Sequence, residues 1–248
     1  MSKVVYDFTG ECFVVTGASS GMGRQIALEL AEAGADVLAV ARNEERLHSL
    51  KSEYPERIIT ASLDVRDTDA LEEAIAGFTA IRGKLNGGVH AAGIGSVTPL
   101  RSYEPEIARE VMDTSFWAGM SLLQLITKSK YGKAGTSTVL FSSVDAVSCG
   151  KGKFAYASSK AAVNTAIRCA AKEIAPKHHR VNSVLPGWVI TPMTDNSELE
   201  GFLEPIIAEH LLGLGRPEYV SSMVLFLLSS DSSWITGSNI VVDGGSLA

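Results

Sequence analysis

Residues 12–34 place the tightest constraint on what this chain can become. The apolar run Cys12-Phe13-Val14-Val15-Thr16 leads into Gly17-Ala18-Ser19-Ser20-Gly21-Met22-Gly23, and a helical pattern carried by Gln25, Ile26, Leu28, Leu30 and Ala31 runs up to Gly34. An apolar run without alternation suits a strand covered on both faces. A turn of small residues between such a strand and a helix brings backbone N–H groups together at the helix start, where the dipole favours an anion.

The same order of elements recurs through the chain. Further strands are expected at Asp36–Ala41, Arg57–Ala61, Gly87–Ala91, Thr136–Phe141, Arg180–Leu185 and Asn239–Val242. Helices are expected at Glu44–Glu53, at Asp67–Ile81 with Asp67 or Thr68 as N-cap, at Pro105–Lys130, at Ser158–Ala175 and at Glu218–Leu228. Seven apolar strands alternating with helices predict an α/β fold: a Rossmann-type, doubly wound, parallel seven-stranded sheet with helices on both faces. No linker, repeat or low-complexity stretch divides the 248 residues, so residues 1–248 read as one domain. Thr191–Leu214 breaks the pattern. Its Leu199, Phe202, Leu203, Ile206 and Ile207 suit an apolar lid.

Composition narrows the function classes. With 46% hydrophobic and 20% charged residues the chain is an ordinary globular protein. A net charge of −6 argues against a general nucleic-acid binder. Cys12, Cys149 and Cys169 form no C-x-x-C pair, which argues against zinc and a disulfide framework and for a reducing, cytoplasmic setting. No apolar run approaches the length of a membrane span. His178-His179 reads as a solvated turn, and no metal site is expected.

The glycine turn has the context of a dinucleotide site, although its spacing is G-x-x-x-G-x-G and a structural turn stays open. A site selective for NAD usually carries an acid at the end of the second strand. Here that slot holds Ala41, followed by Arg42 and Asn43, with Arg46 one turn on. A guanidinium suits a 2′-phosphate, so the expected cofactor is NADP(H). Tyr156 and Lys160 stand four apart and share a helix face. An ammonium beside a phenol lowers its pKa and suits it to proton transfer. Ser143 follows the fifth strand at the sheet edge where ligands of such folds bind.

Taken together, Thr16–Gly23, Ser143, Tyr156, Lys160, Pro186-Gly187 with Thr191, and Val242-Asp243-Gly244-Gly245 resemble the short-chain dehydrogenase/reductase family over nearly the whole chain. Gly213-Leu214-Gly215-Arg216 and Trp234-Ile235-Thr236-Gly237 look most like its 3-oxoacyl-(acyl-carrier-protein) reductases and related carbonyl reductases. The resemblance implies that Tyr156 exchanges a proton with the substrate, Lys160 lowers its pKa and holds the nicotinamide ribose, and Ser143 orients the carbonyl. It implies that Gly17, Ser19, Ser20, Gly21 and Met22 line the pyrophosphate, with Asp64 and Val65 at the adenine. Ala91, Ala92 and Gly93 would then pass beside the ribose, while Pro186, Gly187, Val189 and Thr191 hold the carboxamide. It also implies a homotetramer with the Pro105–Lys130 and Ser158–Ala175 helices at one interface, acting on a small carbonyl or alcohol, free or carrier-bound.

Two positions depart from the family pattern. His90-Ala91-Ala92-Gly93 stands where Asn-Asn-Ala-Gly is usual, and Ser115 takes the slot of an asparagine in a proton relay. Ser115 can still hold a bridging water. His90 reads as a satisfied structural histidine, and Cys149 as a small buried filler. Trp188 and Met193 read as pocket walls or core, and Lys128, Lys130 and Lys133 as a solvated face or a dock for an acidic carrier. Arg42→Ala is expected to weaken NADPH by about tenfold or more while leaving NADH little changed, because one charge-assisted contact to the 2′-phosphate is lost. Fluorescence titration with both nucleotides checks this, and equal losses refute the 2′-phosphate role.

Overall fold

The computed structural model describes residues 4–194 and 203–248. Its strands are β1 (Cys12–Thr16), β2 (Asp36–Ala41), β3 (Ile58–Ser62), β4 (Leu85–His90), β5 (Gly132–Phe141), β6 (Arg180–Pro186) and β7 (Asn239–Val242). They form one parallel sheet in the order β3-β2-β1-β4-β5-β6-β7. The helices are α1 (Gly21–Glu32), α2 (Glu44–Glu53), α3 (Thr68–Arg82), α4 (Pro105–Met112), α5 (Ala118–Thr127), α6 (Phe154–Ile174), α7 (Leu203–Glu209) and α8 (Pro217–Leu228). This is the doubly wound, Rossmann-type sheet that the alternation of elements predicts.

Period-2 geometry explains why the strands are apolar throughout. Phe13, Val15, Val37 and Ala39 pack with Ile26 and Leu30 of α1 and Val224 and Leu227 of α8. Their neighbours Cys12, Val14, Leu38 and Val40 point the other way, against Leu71, Ile75 and Phe78 of α3 and Leu122 and Leu125 of α5. Leu140 and Val181 meet Val163 and Ile167 of α6. No strand face is left to water in the middle of the sheet, so no polar alternation is needed.

Most boundaries fall within a residue of expectation. β5 begins at Gly132 rather than Thr136 because Leu85 pairs with Gly132 across an irregularity in β4, in a stretch whose glycines hide the strand pattern. The helix expected over Pro105–Lys130 is interrupted: Asp113–Trp117 forms a widened turn between α4 and α5. α6 starts at Phe154, four residues early, so Tyr156 and Lys160 both lie inside it. Asp67 caps α3 by accepting from Ala70 N–H at 3.0 Å. Of the expected lid, Leu199 and Phe202 and the side chain of Leu203 lie outside the described residues. Ile206 is half-buried and Ile207 exposed. Among the described residues no helix is long and apolar enough to cross a membrane.

After β3 the chain returns to the opposite side of β1, so the carboxyl ends of β1 and β4 form the switch point where such folds bind ligands. β4 can approach β1 and α5 this closely because it carries glycine. A Cβ on Gly88 would stand 2.7 Å from Val14 Cγ1 and 2.8 Å from Ile126 Cδ1. Gly88→Ala is expected to cost about 1–3 kcal/mol by overpacking, read as a lowered thermal midpoint. An unchanged midpoint would show that β4 has room to spare.

Candidate active site

The switch point opens into a cleft. Gly17, Ser19, Ser20, Gly21 and Met22 line it from the first turn, Arg42, Asn43 and Arg46 from the end of β2, Asp64 and Val65 from the end of β3, and Ala91, Ala92 and Gly93 from the end of β4. Thr191 also lines it, close to Gly21: a Cβ on Gly21 would lie 3.2 Å from Thr191 Cγ2. The turn is built for close approach: Gly17 has φ +72°, and a Cβ on it would lie 2.6 Å from Ala92 N. A Cβ on Gly23 would lie 2.3 Å from Gly17 O, so helix and turn touch backbone to backbone.

The start of α1 fits an anionic group. Ser20 makes no side-chain cap, and the first turn carries no acid. Asn43 caps α2 and Asp67 caps α3, while α4, α6 and α8, like α1, start without a side-chain cap. The first N–H groups of α1 therefore have no capping side chain, in a glycine-lined cradle, as a pyrophosphate requires. Arg42 is exposed beside this cleft and makes no ion pair among the described residues. Asp64 is held by Arg66 at 2.6 Å, which keeps its carboxyl below the usual range.

The predicted catalytic groups gather where Gly93 leaves the cleft. Ser143 caps a short turn after β5, its Oγ accepting from Asp145 N–H at 3.1 Å. Burial raises the Tyr156 pKa, a hydrogen bond with Ser143 pulls it down, and the Asp145 carboxylate raises it, for a net upward direction. This differs from the expectation that Lys160 lowers it. The Lys160 ammonium lies over the Tyr156 ring, 5.5 Å from its centroid, and donates to the Phe141 carbonyl at 2.9 Å. Lys160 is 3% exposed, and desolvation lowers its pKa to about 8, so it carries its charge at neutral pH. Ser115 Oγ is fully buried and has no hydrogen-bond partner among the described residues.

Other expected residues fall elsewhere or behave differently. Gly187 and Val189 line a neighbouring crevice with Trp188, Leu212, Tyr219 and Asp243 rather than the cleft, and Pro186 lies outside both linings. Met193 lines the cleft. Cys149 is exposed, not a buried filler, because its loop lies at the surface. His179 is buried rather than solvated: its Nδ1 accepts from Thr136 N–H at 3.2 Å and lies 2.8 Å from Thr136 Oγ1. Lys128 pairs with Glu72 at 3.1 Å and Lys133 donates to Asn86 Oδ1 at 2.9 Å. These lysines flank the amino end of β5. Ser143 lies just past its carboxyl end, about 30 Å away at ~3.3 Å per residue. Sequence reasoning missed Leu63, Ile94 and Pro192, apolar loop residues that carry no signal of their own, and Thr114, which the break in the helix turns into the cleft lining.

His90, at the end of β4, is 1% exposed. Its Nε2 lies 2.9 Å from the Thr114 carbonyl, which can only accept, so Nε2 carries the proton. Thr16 Oγ1 then donates to Nδ1 at 2.9 Å. Burial, the Lys160 charge and this network leave a net pKa near 4. The folded value lies below the ordinary 6.5, so the stability His90 contributes is complete above about pH 6.5 and is lost as pH falls toward 4. His90→Gln is expected to remove up to about 3 kcal/mol of this acid sensitivity, read from thermal midpoints between pH 4.5 and 7.5. Parallel midpoint curves for both proteins would count against it.

The chain matches the family model described as Enoyl-(Acyl carrier protein) reductase over residues 17–246. It is 33% identical over 240 residues to a 3-oxoacyl-(acyl-carrier-protein) reductase of Thermotoga maritima, covering 95% of this chain and 97% of the relative. It is 34% identical over 247 residues to an L-xylulose reductase of Caenorhabditis elegans, covering 97% of each. A solved structure from Brucella melitensis, described as a short-chain dehydrogenase/reductase and glucose/ribitol dehydrogenase, superposes with a TM-score of 0.92 at 28% identity, covering 98% of this chain and 99% of that one. Sequence, fold and site thus converge, and the chain belongs to the short-chain dehydrogenase/reductase family.

Proposed function

We propose that the protein is an NADP(H)-dependent oxidoreductase that moves a hydride between nicotinamide and a carbonyl or secondary alcohol. The observation that carries this reading is the cluster of Ser143 against Tyr156 and Tyr156 against Lys160, whose ammonium lies by Gly93 of a cleft with an uncapped helix start and an arginine without an ion pair among the described residues. Gly17, Ser19, Ser20, Gly21 and Met22 hold the pyrophosphate, Arg42 and Asn43 the 2′-phosphate, Asp64 and Val65 the adenine, and Ala91, Ala92 and Gly93 the adjoining ribose. Pro186, Gly187, Val189 and Thr191 hold the carboxamide. The bound cofactor supplies or accepts the hydride at nicotinamide C4.

The chain's own residues handle the proton. Ser143 donates a hydrogen bond to the carbonyl oxygen and orients it. Tyr156 gives its phenolic proton to that oxygen in reduction and takes it back in oxidation. Burial keeps the phenol protonated in the free chain, which suits reduction. Lys160, charged at neutral pH, stabilises the phenolate left behind and hydrogen-bonds the nicotinamide ribose. Ser115 with a bound water passes a proton onward to Lys160.

A 3-oxoacyl thioester, free or carrier-bound, follows from the resemblance. A sugar, polyol, steroid or small ketone is the alternative, and the xylulose reductase relative supports it. We further propose that residues 1–248 act as one domain with a lid about 191–214, that the protein is a cytoplasmic homotetramer, and that it binds neither nucleic acid nor membrane. The exposed Trp117 within the Pro105–Lys130 segment supports the tetramer. A second reading, a nucleotide-binding regulator with weak chemistry, draws on the Ser115 and His90 departures. Tyr156→Phe is expected to lower turnover by about 10²–10⁴-fold with NADPH affinity intact. Retained turnover would sink the proton-donor role, and a wild type that binds NADPH yet reduces no carbonyl would favour the regulator.

A further inference from the structure

The widened turn at Asp113–Trp117 has an unusual hydrogen-bond pattern. Ala118 N–H donates to the Asp113 carbonyl, five residues back. In a regular α-helix that donor would serve Thr114 O. The Thr114 carbonyl accepts from His90 Nε2–H instead. Single widened turns of this kind are frequent at functional sites, and the next residue along is Ser115. A Cβ on Gly93 would lie 3.5 Å from Ser115 Oγ and 3.4 Å from Lys160 Nζ, so hydroxyl and ammonium flank one point beside Gly93.

The surroundings of His90 are fitted to this job. Thr16 donates to Nδ1 and so fixes the tautomer that protonates Nε2. Gly119 opens the space for the ring: a Cβ there would stand 2.9 Å from His90 Cδ2. Without the imidazole donor, Thr114 O has a partner ready in Ala118 N–H. That exchange would draw the turn toward the regular i→i−4 spacing and shift the Ser115 hydroxyl relative to Lys160.

We propose that His90 is a positioning residue for proton transfer: by holding the Thr114 carbonyl it keeps the Asp113–Trp117 turn open and thereby holds the Ser115 hydroxyl beside Lys160. This rests on the reading of Ser143, Tyr156 and Lys160 as a reductase site. The test is a double-mutant cycle of His90→Leu and Ser115→Ala, measured as kcat with saturating NADPH and a carbonyl substrate. Each single variant is expected to lose about tenfold or more in kcat with NADPH Kd within about twofold. The double variant is expected to lose no more than the worse single one. His90→Gln, which keeps one donor and one acceptor, recovers most of the loss.

Losses that multiply in the double variant, or an NADPH Kd that worsens as much as kcat falls, would reduce His90 to a general structural role. Should His90→Leu fail to fold, Thr16→Val replaces it in the cycle, since it removes only the hydroxyl that fixes the tautomer. Amide exchange over residues 113–118 reads the turn without any turnover. Altered protection in the His90 or Thr16 variant supports the proposal, and unchanged protection overturns it. Loss of the reductase reading shows up separately, as carbonyl reduction that survives Tyr156→Phe.

Discussion

The contact on which the rest of the molecule depends is the backbone approach between the carboxyl ends of β1 and β4. Ala91 N–H donates to Thr16 O, and Gly17 lies against Ala92 with no Cβ between them. Two of the ligand-facing segments take their position from this junction. The glycine turn leaves from one strand and the Ala91–Gly93 segment from the other, and His90 links both to α5. A side chain larger than hydrogen at Gly17 would push apart the two walls of the cleft.

Burial sets the electrostatics of the site. Lys160 is charged yet nearly without water, and its ammonium donates to the Phe141 carbonyl at 2.9 Å. The same desolvation raises Tyr156 and lowers His90. One low-dielectric region thus keeps a phenol protonated and an imidazole neutral, and lowers the ammonium's pKa to about 8. The paired Asp145 and Lys153, 3.0 Å apart at the rim, stand outside this region.

The sheet was legible because a parallel sheet buried on both faces writes itself as apolar runs separated by helical periods. The glycine turn, Tyr156 and Lys160 were legible because each has a fixed spacing. What escaped reading depends on contacts distant in sequence. The break at Asp113–Trp117 follows from a histidine 24 residues upstream taking a helix carbonyl. The burial of His179 follows from Thr136, 43 residues away. The direction of the Tyr156 pKa follows from burial, which spacing along one helix cannot reveal, so the i,i+4 lysine suggested the opposite sign. The exposure of Cys149 belongs to a loop whose path no periodicity describes.

The uncapped start of α1 couples the fold to the contents of the cell. Its N–H groups find their best partner in a ligand, so a ligand that binds there only in the folded state adds to folding free energy by mass action. At a concentration of about 100 times its Kd that gain is roughly 2.7 kcal/mol. The lifetime of the protein against proteolysis and thermal inactivation would then track the nucleotide pool, making the ligand a conditional part of its structure.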